Sequence, residues 1–357
     1  MKSSPFLLFL FIAASAFGQS HYSITGKVIS EETKLPLQGA SVFAQNTTIG
    51  TATDVDGVFH LLLPYGGYNL VVTFTGYSIE SHRITATDAG ENLLFEMKQR
   101  EKEMEEVSVV STNEVRNGWE KYGNFFMEQF IGRTINSAGC QVKNIEALKF
   151  YFSKKRNRLK VIANEPLQIV NNSLGYNIAY SLDSFTHDYS TQVSLYTGYP
   201  LFEEILPEST AQEERWKQAR RQAYKGSILH FMRSIYNRNL KEQGFEVQYL
   251  VRVNENEKAI TLRNFYAALN YKKDDSTLMV DVHPNQQALG VIYTKEKPAG
   301  KYVELNPGDP RSFQFSILTF APQQTITIEQ NGYYFDQDDI AISEYWTWDK
   351  VADLLPY

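Results

Sequence analysis

The stretch from Ile24 to Arg83 constrains the fold most, because short apolar segments alternate in it with turn-forming residues at nearly regular intervals. From Tyr68 to Phe74 every second side chain is apolar and Asn69 and Thr73 lie between them, which is the period of a half-buried β-strand. The turn-forming segments are Glu31–Lys34, Asn46–Thr48, Asp54–Gly57 and Pro64–Gly67. Several short strands separated by such turns predict a small β-sandwich.

Five short motifs occur together in this stretch: Gly26-Lys27-Val28, Leu37-Gln38-Gly39-Ala40-Ser41-Val42, Thr53-Asp54-Val55-Asp56-Gly57-Val58-Phe59, Gly66-Gly67-Tyr68 and Gly76-Tyr77. With this set the stretch resembles the carboxypeptidase regulatory-like domain, a transthyretin-like sandwich that accompanies metallocarboxypeptidases and begins many Gram-negative envelope proteins. Such modules are accessory and have no catalytic residues of their own. The resemblance therefore implies a fold and an envelope setting.

Segments beyond the sandwich, including Trp119–Cys140 and Gly198–Glu204, resemble a group of secreted proteins that join this sandwich to a C-terminal domain of unknown role. Met104–Val110 also looks like the strand that follows the sandwich in envelope receptors of the family. In those receptors a plug and a large membrane barrel come next. The roughly 245 residues that remain here lack the repeated strands of about 10 residues that such a barrel needs.

The N-terminus has the pattern of a secretory signal. A lysine at position 2 precedes the apolar run Phe6–Ala14, and Ala16 and Gly18 are small residues at the positions expected for cleavage after Gly18. We predict a signal peptide over residues 1–18 and an exported protein of the periplasm, the outer membrane or the cell surface. An uncleaved membrane anchor is the alternative. The first residue after the predicted cleavage site is Gln19 and not a cysteine, so a lipid anchor is not expected, and no later run predicts a transmembrane segment.

The net charge of −6 argues against general nucleic-acid binding, which needs a basic face that releases counterions. Cys140 is the only cysteine, so the chain forms no intramolecular disulfide. We interpret it as a small core residue, the usual role of a free cysteine, and not as a nucleophile.

The length suggests two domains, and we place the boundary near Ser111. Residues 20–111 are the sandwich, and residues 112–357 are a larger domain of unknown function. We predict an α+β fold, mainly β, whose larger domain has two or three helices. The predicted helices are one with an aromatic stripe from Asn117 to Gly132, a long one from Ser209 that ends before Gly244, with Gly226 as the position for a bend, and a final one from Ser343 to Pro356. A β-hairpin with a basic tip is predicted over Ile145–Asn164.

The motifs of the common enzyme classes are missing from the sequence. None of the six histidines has a glutamate three residues later, as a zinc carboxypeptidase requires, and neither His-Glu-x-x-His nor Gly-x-Ser-x-Gly occurs. Asp54–Gly57 lacks the further oxygen ligands of a calcium loop and is interpreted as a hairpin turn. We therefore predict no catalytic, cofactor-binding or metal-binding residues.

The long helix is basic in a chain that is acidic overall. Its cations form either a solvated face or an anion-binding face, and the residues chosen for the second interpretation are Arg220, Arg221, Lys225 and Arg233. The predicted function is non-enzymatic binding or scaffolding, with an envelope protein or an acidic polysaccharide as the partner. The alternative is a secreted hydrolase or glycan-active protein with its site in the C-terminal domain. A pocket that gathers two carboxylates, or a histidine with a carboxylate and a hydroxyl, would favour the alternative.

Overall fold

The computed structural model describes residues 21–99, 113–253, 256–307, 312–335 and 339–357. Three sequence predictions lie outside these residues: the signal segment, the strand around Val107–Val110 and the boundary near Ser111. The described residues form five β-sheets and six α-helices. The fold is mainly β with some helices, which confirms the predicted α+β class. None of the described helices combines the length and the apolarity that a membrane crossing requires.

Two sheets that face each other form the predicted N-terminal sandwich. Its strands are β1 (His21–Ser30), β2 (Ser41–Ala44), β3 (Gly50–Ala52), β4 (Val58–Pro64), β5 (Tyr68–Thr73), β6 (Glu80–Ile84) and β7 (Asn92–Met97). One sheet has the order β4-β1-β7 and the other the order β3-β2-β5-β6. Strand β1 buries every second residue, and Ile24 and Val28 are fully enclosed. These apolar faces form a core of their own, to which Phe59 and Leu70 also belong.

The next part of the chain forms a six-stranded sheet. Its strands are β8 (Cys140–Val142), β9 (Leu148–Ser153), β10 (Arg158–Ala163), β11 (Leu167–Asn171), β12 (Tyr176–Asp188) and β13 (Val193–Glu204). The predicted hairpin is the β9–β10 pair, and β13 pairs with β12 along its length. Helix α1 (Gly118–Phe130) packs on β9 and buries the predicted aromatics Phe126 and Phe130. A Cβ at Gly118 would lie 2.6 Å from Phe150, so this close approach requires glycine.

The rest of the chain surrounds a five-stranded sheet of order β15-β14-β18-β19-β21 and a small sheet of order β16-β17-β20. The strands are β14 (Phe245–Val253), β15 (Asn256–Thr261), β16 (Lys272–Lys273), β17 (Val280–Val282), β18 (Ala288–Tyr293), β19 (Gln314–Phe320), β20 (Ile326–Ile328) and β21 (Ile340–Glu344). The helices are α2 (Thr210–Tyr224), α3 (Ile228–Tyr236), α4 (Leu240–Gln243), α5 (Phe265–Ala268) and α6 (Gly300–Leu305). Their apolar residues form a third core.

The long helix predicted from Ser209 to Gly244 is wrong as a continuous element. Gly226 adopts φ +76°, and Ser227 then caps a new helix by accepting a hydrogen bond from the His230 amide at 3.2 Å. The break lets the two helices pack on different cores. Ala219 and Ala223 of α2 pack on the core of the six-stranded sheet, whereas α3 contributes Phe231, Met232 and Ile235 to the third core.

The predicted final helix from Ser343 is also wrong. Ile340–Glu344 is strand β21, which pairs with β19, and two short 3₁₀ turns follow at Tyr345–Thr347 and Val351–Asp353. The spacing looked helical because Tyr345, Trp348, Val351 and Leu355 follow one another at intervals of three or four residues. A pairing with a strand about 25 residues earlier overrides that local pattern.

The sandwich contacts the remainder of the chain along a seam. The Asn46 amide donates to the carbonyl of Pro200 at 2.9 Å, and Thr47 forms a parallel bridge with Leu201 of β13. Elsewhere on the seam, the Asn331 side-chain amide donates to the carbonyl of Gly67 at 3.0 Å. The loops of the sandwich are therefore bonded to two different parts of the C-terminal region.

Candidate functional site

The four cations chosen from the sequence are Arg220, Arg221, Lys225 and Arg233. The three arginines line one pocket of about 250 Å³, whose wall also holds the rings of Tyr176 and Tyr224. We call it the arginine pocket. Lys225 lies outside this lining, and its ammonium group pairs with Glu296 at 3.1 Å. The structure thus brings three of the four predicted residues together.

Arg220 is a fixed part of the pocket wall. Its Nε donates to the carbonyl oxygen of Leu174 at 2.7 Å, and its Nη2 donates to that of Gly175 at 3.1 Å. The Nη1 group pairs with Glu204 at 3.1 Å, and the guanidinium carbon lies 3.9 Å from the centroid of the Tyr176 ring. Arg220 is therefore half-buried and bonded, and it does not lie on a solvated helix face.

The other two arginines differ in how they are held. Arg233 donates from Nε to the carbonyl oxygen of Asn331 at 2.8 Å and lies 5.5 Å from the centroid of the Tyr224 ring. Arg221 is exposed, and among the described residues its guanidinium has no hydrogen-bond or ion-pair partner. The pocket therefore combines two oriented guanidinium groups with one that is free, and Glu204 neutralises only one of the three charges.

A second cavity, of about 440 Å³, lies between the C-terminal end of α1, the start of β13, helix α6 and the segment 344–350. We call it the polar cleft. Its lining includes Gln129, Arg133, Gln192, Ser194, Asn306 and Trp348. Burial lowers the pKa of Lys350 at its edge, and the neighbouring charge of Arg133 acts in the same direction.

A buried histidine lies behind the polar cleft. Nδ1 of His187 is 2.8 Å from the Ser194 hydroxyl oxygen, and that hydroxyl donates to Oε1 of Gln129 at 2.9 Å. Because a serine has a single hydroxyl proton, Nδ1 must carry the proton in its bond to Ser194. The imidazole ring packs edge-to-face against the rings of Phe125 and Tyr189, and its Nε2 has no hydrogen-bond partner among the described residues. This arrangement lacks the carboxylate that orients the histidine of a Ser-His-Asp triad.

Two carboxylates line the polar cleft, which is the number that a glycosidase requires. Glu128 forms an ion pair with Arg133, and Glu344 ends strand β21 with φ +63° and ψ −133°. A glycosidase needs two carboxyl groups that both reach the glycosidic bond, whereas the ion pair with Arg133 occupies Glu128. The cleft therefore has two carboxylates, one of which is already engaged.

Glu329 is a buried acid on the seam. It is 5% exposed, and its Oε1 has no hydrogen-bond partner within the described part of the chain. Burial raises its pKa to about 7, although the charge of Arg83 opposes that shift. A Cβ at Gly67 would lie 2.5 Å from the Glu329 Cγ, so the sandwich and this side chain are in direct contact.

The remaining groups singled out by sequence have structural roles. Asp54 Oδ1 accepts hydrogen bonds from the amides of Asp56 and Val58, which is the predicted hairpin turn. Burial raises the pKa of the Cys140 thiol to about 12, so the thiol stays protonated. In the segments that the structure describes, no three histidine, cysteine, aspartate or glutamate side chains converge as a metal site.

The polar cleft and Glu329 were missed from the sequence. One signal was available, since a hairpin between β12 and β13 pairs His187 directly with Ser194. Gln129 lies on a different element, 65 residues before Ser194, and Asn306 and Glu329 come from still later parts of the chain. Nothing in the local pattern connects these residues, because long-range packing alone brings them together.

The chain has limited similarity to a solved structure. A solved structure of a DUF3823 family protein from Bacteroides ovatus is 13% identical over 53% of this chain and 83% of that one, with a TM-score of 0.19. At this TM-score the two folds cannot be equated. No curated protein sequence is similar enough to count as a match.

A family model described as CarboxypepD_reg-like domain matches residues 24–109. The match covers all seven strands of the sandwich from within β1 onward, and it confirms the resemblance found in the sequence. The N-terminal sandwich of this chain is therefore similar to the carboxypeptidase regulatory-like domain over residues 24–109.

Proposed function

We propose that the protein is an exported, non-enzymatic binding or scaffolding protein of the cell envelope, in which the arginine pocket takes an acidic group of a partner. The regulatory-like domain acts in this proposal as a rigid support. The alternative of a hydrolase is less well supported, because His187 has a hydroxyl partner without a carboxylate and Glu128 is engaged by Arg133.

One observation carries the proposal: three arginine residues line one pocket of about 250 Å³. Arginine presents a planar fork of N–H donors that suits a carboxylate, and a donor already held in place loses less freedom on binding. Arg220 and Arg233 are held by backbone carbonyls, and Arg221 is free to close on the ligand. The volume suits a single acidic group, such as the carboxylate of a uronic acid or of a glutamate side chain.

The test is to titrate the full chain with alginate, a polymer of uronic acids, and separately with polyglutamate, each at low and at physiological salt. We expect Arg221→Glu to weaken binding by about tenfold or more, because a charge-assisted hydrogen bond is worth about 1.5–3 kcal/mol. The salt dependence should also become flatter. The polymer that binds more tightly shows whether the partner is a polysaccharide or a protein.

The matched control is Arg215→Glu, which makes the same charge change at an exposed position of α2 outside the arginine pocket. It should keep most of the affinity. Thermal stability of both variants should remain within about 0.5 kcal/mol of the parent. If Arg221→Glu binds as tightly as the parent at low salt, or if Arg215→Glu loses as much affinity, the arginine pocket is not the binding site.

A further inference from the structure

The polar cleft lies where two cores of the C-terminal region meet. Gln129 and Ser194 belong to the part built around the six-stranded sheet, whereas Tyr302 and Glu344 belong to the part built around the five-stranded sheet. Small-molecule sites occur preferentially at such junctions, and a volume of about 440 Å³ is within the usual range for them.

The charges that line the cleft exclude two classes of ligand. Arg133 and Lys350 supply two positive charges, and Glu128 and Glu344 supply two negative ones, so neither sign prevails. The Arg133 and Glu128 side chains are also paired with each other. A strongly charged ligand therefore gains no net attraction, and an apolar ligand would leave these polar groups without water.

The neutral side chains of the cleft are held in defined orientations. The Gln192 side-chain amide group donates to the carbonyl of Tyr189 at 2.8 Å, and that of Asn306 donates to the carbonyl of Tyr302 at 2.8 Å. Among the described residues, the oxygen atom of neither amide accepts a hydrogen bond. Each amide is thus anchored at its nitrogen and offers its oxygen as an acceptor.

The Gln129 amide is anchored at its oxygen, the reverse of the amides of Gln192 and Asn306. Its Oε1 accepts the hydrogen bond from Ser194, which is itself fixed by the buried His187. Its NH₂ group has no partner in the described part of the chain and remains available as a donor. The His187–Ser194 pair therefore serves as a positioning device for the Gln129 amide, which accounts for a buried histidine that performs no acid–base step.

The geometry points to a neutral saccharide as the ligand of the polar cleft. Sugar hydroxyls both donate and accept, so they match a donor at Gln129 and acceptors at Gln192 and Asn306. The half-buried Trp348 packs edge-to-face on the buried Tyr302 ring, with ring centroids 5.6 Å apart, and supplies an aromatic surface for the C–H face of a sugar ring. This site is separate from the arginine pocket and does not depend on it.

The test uses the full chain on an array of neutral and acidic oligosaccharides, followed by calorimetric titration with the neutral oligosaccharide that binds best. Gln129→Ala and Asn306→Ala should each weaken binding by about fivefold, since each removes one neutral hydrogen bond. Ser194→Ala should weaken it as well, by releasing the Gln129 amide. Combining Ser194→Ala with Gln129→Ala should then add little to the effect of Gln129→Ala alone, which a merely structural role of Ser194 would not produce.

Two controls separate this site from others. Gln218→Ala removes an amide that lines a different cavity on α2 and should leave saccharide binding unchanged. Arg221→Glu should also leave it unchanged, so failure of the arginine pocket and failure of the polar cleft give different results. Asn306 is exposed, so its variant tests the proposal even if Gln129→Ala folds poorly. The inference is overturned if no neutral oligosaccharide binds, or if Gln129→Ala and Asn306→Ala bind as tightly as the parent.

Discussion

The sandwich and the C-terminal region differ in whether their buried polar groups have hydrogen-bond partners. In the sandwich, Thr47 donates to the Ala44 carbonyl, and Thr53 donates to Leu37 while accepting from the Ala40 amide. The three buried polar atoms that lack a partner among the described residues all lie in the C-terminal region: His187 Nε2, Asn239 Oδ1 and Glu329 Oε1. Because such groups cost stability, the C-terminal region retains unpaired polar atoms that the core of the sandwich avoids.

The largest expected effect concerns Glu329. Burial raises its pKa from the ordinary value of 4.5 to about 7, so the folded state keeps a proton that the unfolded chain has already lost. Its contribution to stability is complete below pH 4.5 and is lost as the pH rises to about 7, by roughly 1.4 kcal/mol per pH unit and up to about 3 kcal/mol in total. Urea unfolding of Glu329→Gln from pH 4 to pH 8 should lack this decline.

The other titratable groups facing Glu329 are Tyr22, Tyr68, Tyr236 and Arg83, none of which changes charge in that range. Glu120→Gln is the control, because Glu120 is exposed, and it should follow the parent within about 0.5 kcal/mol. A fragment of residues 20–111 should unfold cooperatively without this pH dependence. A parent profile that is flat between pH 4.5 and 7 would contradict the assignment.

Substituting the neighbouring residues Arg220 and Arg221 shows which arginine contributes to stability and which does not. Arg220→Ala removes two hydrogen bonds to buried carbonyls and the contact with Tyr176, and we expect the free energy of unfolding to fall by about 2 kcal/mol. Arg221→Ala should change it by less than about 0.5 kcal/mol. Denaturant unfolding of both variants measures the difference. Equal losses would mean that the two arginines share one role.

The smallest expected effect on stability comes from substituting two glycines. Gly67→Ala places a methyl group 2.5 Å from the Glu329 Cγ and should destabilise the seam by about 1–2 kcal/mol. Gly300 has open space around its position, so Gly300→Ala should be neutral or should stabilise by about 0.5 kcal/mol. Thermal unfolding of the pair compares them directly. A stable Gly67→Ala variant would show that Glu329 can move away from the sandwich at little cost.

The sequence predicted those elements whose signal is local. The alternation around Tyr68–Phe74, the basic tip between β9 and β10 and the aromatic stripe of α1 all correspond to observed elements. The start of the predicted final helix was wrong because Ser343 and Glu344 belong to strand β21, whose partner β19 is distant in sequence. The break at Gly226 was underestimated because its cause is the placement of α2 and α3 on different cores.

The two candidate sites also differ in whether their signal is local in the sequence. The basic character of the long helix could be read from composition, and it led to three arginines that share a pocket. Which of them is free could not be predicted, because the carbonyls that bind Arg220 lie 45 and 46 residues earlier in the chain. The polar cleft combines residues from α1, β13 and α6, and no single segment carries its pattern.

The bridge between Thr47 and Leu201 has a consequence for how the chain avoids aggregation. Strand β13 is a long strand that pairs with β12 on one side, and an open strand edge of this kind can recruit a second molecule. At Pro200–Phe202 that edge is covered, because Asn46 donates to Pro200 and Phe202 donates to Thr47. The sandwich loop that supplies this cover belongs to the same chain as β13, so it is present at a higher effective concentration than a second molecule. Strand β13 therefore meets its own cover before it meets another copy of the chain.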